Sequence, residues 1–288
     1  VTGSTSCFFV SDLHGDKSRY EALFRAIRSE HPRLVFLGGD LLPGISSIQT
    51  GNTPFVSRFL LPGFTRLKSD LGRHYPRVFR IPGNDDPASA EKSLNKGEQV
   101  GLWASLHLRT ASYRNVRLAG CGYVPPTPFR LKDWERYDVS RYVDVGCVPP
   151  DEGLLTVDTD PNELKYNTIA ETLKDFFGDI SGGVYLFHAP PYDTGLDRAA
   201  LDGVCVDNTP VDVHIGSIAV RRFIEAHRPK LTLHGHVHES FRITGTWKTK
   251  IGTTICVSAA GEGPGLTLVR FPFSKPEEAT REENAYTL

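Results

Sequence analysis

The chain predicts an α/β fold, and three observations carry that expectation. Short apolar segments recur along it, helical stripes stand between several of them, and loops rich in Gly, Asp, Asn and His follow them. The strand segments are residues 7–10, 34–37, 78–81, 116–119, 184–187, 231–233, 255–257 and 266–269. They are short, often β-branched or aromatic, and bounded by Gly or Pro, as strands are. Residues 18–29 carry Tyr20, Leu23, Phe24 and Ile27 at helical spacing, with Asp16 placed to cap the helix. Residues 164–177 read as a second helix. Residues 218–227 read as a third, opened by Ser217 as N-cap and stopped by Pro229. From residue 231 to 270 few helices intervene, so part of the sheet is expected to be antiparallel.

Three connections are long and irregular: residues 41–76, 123–153 and 189–214. Loops of that length inside a compact chain are usually functional. Residues 275–288 are acidic and read as a peripheral tail. No repeat or linker divides the 288 residues, so one domain is expected, with insertions near 41–76 and 123–153.

Composition narrows the function. Hydrophobic residues make up 39% and charged residues 23%, as in ordinary globular chains. A net charge of −1 provides no overall field for gathering nucleic acid or anionic membrane. The five cysteines stand singly with no CxxC pair, which predicts free thiols in a reducing compartment. No apolar stretch is long enough for a membrane span, and residues 1–6 lack a secretion signal, so a cytoplasmic location is expected.

The chemistry lies at the strand ends. The first strand is followed by Asp12 and His14, the second by Gly39 and Asp40, and the third by Gly83, Asn84, Asp85 and Asp86. His188 follows the strand at 184–187, and Gly235, His236 and His238 follow the strand at 231–233. Ligands of open α/β sheets bind beyond the carboxyl ends of strands. Imidazole and carboxylate together suit divalent Zn, Mn, Fe and similar ions. Asp12 and His14, two apart on an extended segment, can chelate one ion, and His236 and His238 share that spacing.

These blocks, in this order, resemble the calcineurin-like metallophosphoesterase family, whose pattern is D-x-H, G-D, G-N-H, a lone H and G-H-x-H. The resemblance implies a four-layer α/β/β/α double β-sandwich. It also implies hydrolysis of small phosphoesters by a metal-bound hydroxide with two divalent ions, of Mn, Fe, Zn or Ni. Asp12, His14 and His238 would hold the first ion, Asp40 would bridge, and Asn84, His188 and His236 would complete the second.

One position departs from the pattern: Asp85 stands where the family has His. A carboxylate beside a phosphate dianion is unfavourable, whereas a diester carries one charge fewer. Phosphodiesters are therefore the expected substrates, with Asn84 and Asp85 as catalytic candidates and Asp85 either a general acid or a turn residue. Three rival readings share the fold: a phosphomonoesterase or protein phosphatase, a nuclease and a non-catalytic scaffold. His234 reads as a core histidine, and His31, His74, His107 and His227 as surface or packing residues. Arg221 and Arg222 read as a solvated face. Residues 129–136 read as an amphipathic surface insertion or a lid, and His214 as a possible wall of the substrate pocket.

Overall fold

The computed structural model describes residues 5–44, 55–177 and 182–286. Its strands in chain order begin with β1 (Ser6–Val10), β2 (Leu34–Leu37), β3 (Arg77–Arg80), β4 (Ala104–Ser105), β5 (Arg109–Tyr113) and β6 (Val116–Cys121). There follow β7 (Val184–Phe187), β8 (Cys205–Val206), β9 (Thr209–Pro210), β10 (Leu231–His234), β11 (Lys248–Ile251), β12 (Thr254–Ser258), β13 (Leu266–Pro272) and β14 (Thr280–Ala285). The helices are α1 (Lys17–Glu30), α2 (Leu61–Leu71), α3 (Glu91–Gln99), α4 (Pro161–Tyr166), α5 (Ile169–Phe177), α6 (Ile218–His227) and α7 (Ser240–Thr244).

The strands form two large sheets. One has the order β14-β13-β1-β2-β3-β4 and the other β11-β12-β10-β7-β6-β5, with β8-β9 a separate small hairpin. The central pairs of both are parallel, and antiparallel pairs lie outside them at β1-β13, β13-β14, β11-β12 and β5-β6. Side chains alternate across each strand. Cys7 and Phe9 of β1 therefore join Leu186 and Leu233 in the core between the sheets. Phe8 and Val10 face the other way, onto Leu23 and Ile27 of α1 and Phe64 of α2. On the far side, Tyr185 and Phe187 of β7 meet Leu173 of α5 and Phe223 of α6. The layers are thus helix, sheet, sheet, helix. Strands buried on both faces must be apolar throughout, which is why β2 and β7 are unbroken hydrophobic runs.

Four expectations need correction. Residues 164–177 form two helices: Thr168 and Glu171 make a reciprocal capping box that starts α5 afresh. The connection at 41–76 contains α2, begun by a proline in its first turn after a wider turn at Val56–Leu60, while its residues 45–54 lie outside the described residues. The supposed tail supplies β14, an edge strand paired along β13 with Ala285 fully buried. Residues 287–288, and residues 1–4 at the other end, also lie outside the described residues. The segment 129–136 is no amphipathic surface. Lys132 and Glu135 are both fully buried and paired at 2.5 Å, and Glu135 also accepts from Thr127 N–H and Oγ1.

Candidate active site

The carboxyl ends of β1, β2, β3, β7 and β10 converge on one place. Cross-bonds fix the loops there: Asp12 N–H donates to Gly39 O at 3.0 Å and His14 N–H to Asp40 O at 2.8 Å. Asp85 N–H donates to Asp40 Oδ1 at 2.8 Å, and His236 N–H to Asp12 Oδ1 at 3.0 Å. Asp12, His14, Asp40 and His236 hold positive φ angles of 57°, 46°, 51° and 75°. Such a conformation costs a non-glycine residue about 1–3 kcal/mol and persists only where the surroundings enforce it.

Gly83 and Gly235 allow this closeness. A Cβ on Gly83 would fall 2.2 Å from Asp40 Oδ1 and 2.7 Å from His188 Cε1; one on Gly235 would fall 2.0 Å from Ser11 Oγ and 2.7 Å from Asp12 Oδ2. Only glycine lets these backbones lie against the carboxylates.

Ligand-type atoms of Asp12, His14, Asp40 and His238 all lie within 4.8 Å of one another, a grouping able to hold a metal ion. His14 Nε2 and His238 Nε2 face each other at 3.2 Å, and His238 Nε2 lies 3.3 Å from Asp12 Oδ1. His188 extends the group: its Nε2 is 3.3 Å from Asp40 Oδ2, while its Nδ1 is engaged with Gly38 O at 2.8 Å. The His236 ring lies 5.3 Å from that of His188. Asn84 is buried and borders the same cavity as His14, Asp40 and His236. Among the described residues the buried Asn84 Oδ1 has no hydrogen-bond partner, and the buried His188 Nε2 meets only the Asp40 carboxylate. All seven expected ligands are therefore in one neighbourhood, and the donor set fits a divalent cation.

The electrostatics point the same way. Burial, the largest influence, raises the Asp12 pKa, but the His238 bond and the neighbouring histidine charges bring it below the ordinary range. Asp40 is likewise lowered, burial being outweighed by His188 and His14. His188 and His238 are raised to about 9: burial opposes this, and the bonds and charges of Asp40 and Asp12 prevail. His236 is lowered to about 3 by burial and by the neighbouring His188. Two buried carboxylates thus demand positive charge at their centre.

Asp85 stands at the rim. Its side chain is 38% exposed, with Oδ2 3.5 Å from His14 Nδ1. Its pKa is raised, by burial first and Asp40 second. Asp86 turns inward, accepting from the N–H groups of Leu41, Leu42 and Gly83, and so ties the β2 loop to the β3 loop. Asp16 and Ser217 cap α1 and α6. His234 is a buried core histidine bonded to Ala189 O and Thr232 Oγ1.

Beyond the cluster opens a cavity of about 860 Å³. Residues 125–147 make one wall and residues 199–216 another, so two of the irregular connections border the site. His214 lines it, held by buried Asp197 at 3.0 Å. Several supporting residues carried no signal in the sequence. Arg19 spans from Asp12 O to Gly263 O, 2.7 Å from each, and braces the strained turn. Asp138 accepts from Ser217 Oγ and Ile218 N–H at the start of α6. Arg221 is not simply solvated, since it clamps the carbonyls of Tyr192 and Asp193. Arg222 is exposed, as expected.

A family model described as calcineurin-like phosphoesterase matches residues 6–240, most of the chain. The chain belongs to that family. Among relatives of this calcineurin-like phosphoesterase is an uncharacterized protein of Methanocaldococcus jannaschii, 25% identical over 186 residues. That stretch covers 64% of this chain and 64% of the relative. A crystal structure from Thermus thermophilus superposes with a TM-score of 0.58 at 16% identity, covering 98% of this chain and 99% of the other. A dimetal phosphatase from Danio rerio gives 0.51 at 12% identity, covering 98% and 96%. At these identities the likeness is one of fold. Among the described residues no helix is long and apolar enough to cross a membrane. All five cysteines are free, and those at 7, 121 and 256 are buried.

Proposed function

We propose that this calcineurin-like phosphoesterase hydrolyses phosphodiesters with two divalent metal ions. Asp12, His14 and His238 would hold one ion, Asn84, His188 and His236 the other, and Asp40 would bridge them. The observation that carries this reading is the cluster of ligand-type atoms of Asp12, His14, Asp40 and His238 within 4.8 Å of one another, beside a buried Asn84 Oδ1 that has no hydrogen-bond partner among the described residues. Buried polar atoms are seldom left unsatisfied, and a bound ion is a recognised reason. The ligands come from both sheets, so we take the chain to act as one domain.

Bound ions supply a water of lowered pKa and neutralise charge on the phosphoryl oxygens. The protein's own contribution is placement. His188 presents Nε2 because Gly38 O fixes its Nδ1, and such support keeps a ligand in one tautomer and orientation. Asp12 is oriented by His236 N–H, and Asp40 by Asp85 N–H. Asn84 reaches the cavity beside Asp40 and can also touch the phosphoryl group. Asp85 sets the charge preference: its carboxylate borders the cavity next to His14, where a dianionic monoester meets more repulsion than a monoanionic diester.

The test is a matched pair of aryl esters, diester and monoester, assayed with Mn²⁺ and after chelation, alongside elemental analysis of the purified protein. Metal-dependent turnover favouring the diester is the expected result. Turnover favouring the monoester would discard the Asp85 argument, and absence of stoichiometric metal with no turnover would favour a non-catalytic scaffold.

A further inference from the structure

The cavity next to the cluster is large enough for a ligand of drug size. Its lining has a definite character. Among the described residues that border it there is no lysine and no arginine, and residues 45–54, which lie outside the described set, contain neither in their sequence. The charged groups away from the histidines are acids, including Asp144, Asp212 and Glu239. Much of the remaining wall is apolar, with Pro126, Val145 and Val206 among its residues. Three large apolar side chains of this lining are strongly exposed: Phe129 at 60%, Tyr142 at 69% and Val204 at 41%.

Proteins that bind a second phosphate place arginine or lysine against it, because an unpaired phosphate is costly to desolvate. This cavity offers acids there instead. Clustered exposed apolar side chains beside a reactive centre mark a binding surface, and burying them gains free energy in proportion to area.

We propose that the cavity takes the non-reacting substituent of the phosphodiester, and that this substituent is apolar and carries no second phosphate. The proposal rests on the phosphodiester reading above and adds the substrate class to it. Nucleotide polyphosphates and nucleic-acid backbones are thereby disfavoured, and mixed diesters with a long alkyl or aryl arm are favoured. Phe129 and Tyr142 on one wall and Val204 and Val206 on the other would close on that arm.

The test uses p-nitrophenyl phosphodiesters that share one leaving group and carry methyl, octyl or 2-phosphoethyl as the second substituent, each with Mn²⁺. The expected kcat/KM for the octyl ester is at least tenfold above the methyl ester, with the 2-phosphoethyl ester below both. Val206→Lys is expected to raise the ratio of the 2-phosphoethyl ester to the methyl ester. Equal rates for all three esters, or a preference for 2-phosphoethyl, would overturn the cavity assignment while leaving metal-dependent hydrolysis standing. If no diester is hydrolysed, the hydrolytic reading fails and calorimetry decides the cavity separately. Octyl methylphosphonate binding at least tenfold more tightly than methyl methylphosphonate would support the apolar arm, and equal binding would overturn it.

Discussion

Gly83→Ala adds one methyl group where none fits. An ideal Cβ at that position falls 2.2 Å from Asp40 Oδ1, 2.3 Å from Asp40 N and 2.7 Å from His188 Cε1. Carbon contacts are comfortable at roughly 3.5 Å or more, so something must separate by about 1 Å. Rotating the Asp40 side chain cannot relieve the contact with its backbone nitrogen. The β3 loop must therefore shift away from the β2 loop. Overpacking of this kind costs about 1–3 kcal/mol, below the roughly 5–15 kcal/mol that holds a domain together, so the variant folds. For a chain of this size the midpoint of thermal unfolding should fall by about 2–5 °C. Misplacing catalytic groups by about 1 Å costs on the order of 10²-fold in rate. The assay is kcat/KM on an aryl diester with saturating Mn²⁺, together with metal stoichiometry. Gly44→Ala is the control, since its Cβ would meet Asp85 Oδ2 at an ordinary 3.7 Å. A Gly83→Ala enzyme within threefold of the parent, with unchanged stoichiometry, would refute the reasoning.

Further outcomes follow from the same structure. Chelation should abolish turnover and, for two ions each present at about 100 times its Kd, lower the thermal midpoint by about 9 °C, which differential scanning calorimetry would detect. Asp138→Asn removes an acceptor from the start of α6 and leaves Ser217 Oγ or Ile218 N–H poorly matched; urea unfolding should show a loss of about 1–3 kcal/mol. His107 is held neutral, its pKa lowered to about 3 by burial and then by Arg136, Arg80 and Arg109. Protonation there favours the unfolded chain, so stability present above the ordinary value of 6.5 is lost as pH falls towards 3. His107→Gln should flatten that acid limb in urea melts at pH 7, 5.5 and 4; parallel curves for variant and parent would contradict it.

Much of this was legible in the sequence because the site and the strands share one pattern. A strand buried on both faces must be apolar, so β1, β2 and β7 announce themselves, and Asp12, Asp40 and His188 follow closely on the ends of those runs. Where packing rather than periodicity decides, the sequence misleads. The break at Thr168 carried a legible signal, Thr-x-x-Glu, but the apolar spacing continued across it and hid the new start. β14 is polar along most of its length because it is an exposed edge, so no hydrophobic alternation betrays it. Lys132 and Glu135 look like surface residues, since such groups are seldom buried unless paired, and a pairing across a loop is not visible one residue at a time. Arg19 is similar: its guanidinium matters through two carbonyls that meet only after β1, α1 and the segment before β13 have come together.

The order in which the ligands occur along the chain also has a consequence for assembly. Asp12, His14, Asp40 and Asn84 belong to the first sheet, whereas His188, His236 and His238 come from the second, more than a hundred residues later. A growing chain that has exposed only the early group holds no late imidazole and cannot close either of the proposed ion sites. The cage becomes complete only when β10 has docked beside β7 and the two sheets face each other. Ion capture is then a late event, governed by a framework already built, and geometry can override the intrinsic affinity order that favours copper in open peptides. Ion occupancy should therefore appear after secondary structure in a refolding experiment, and would report completion of the fold.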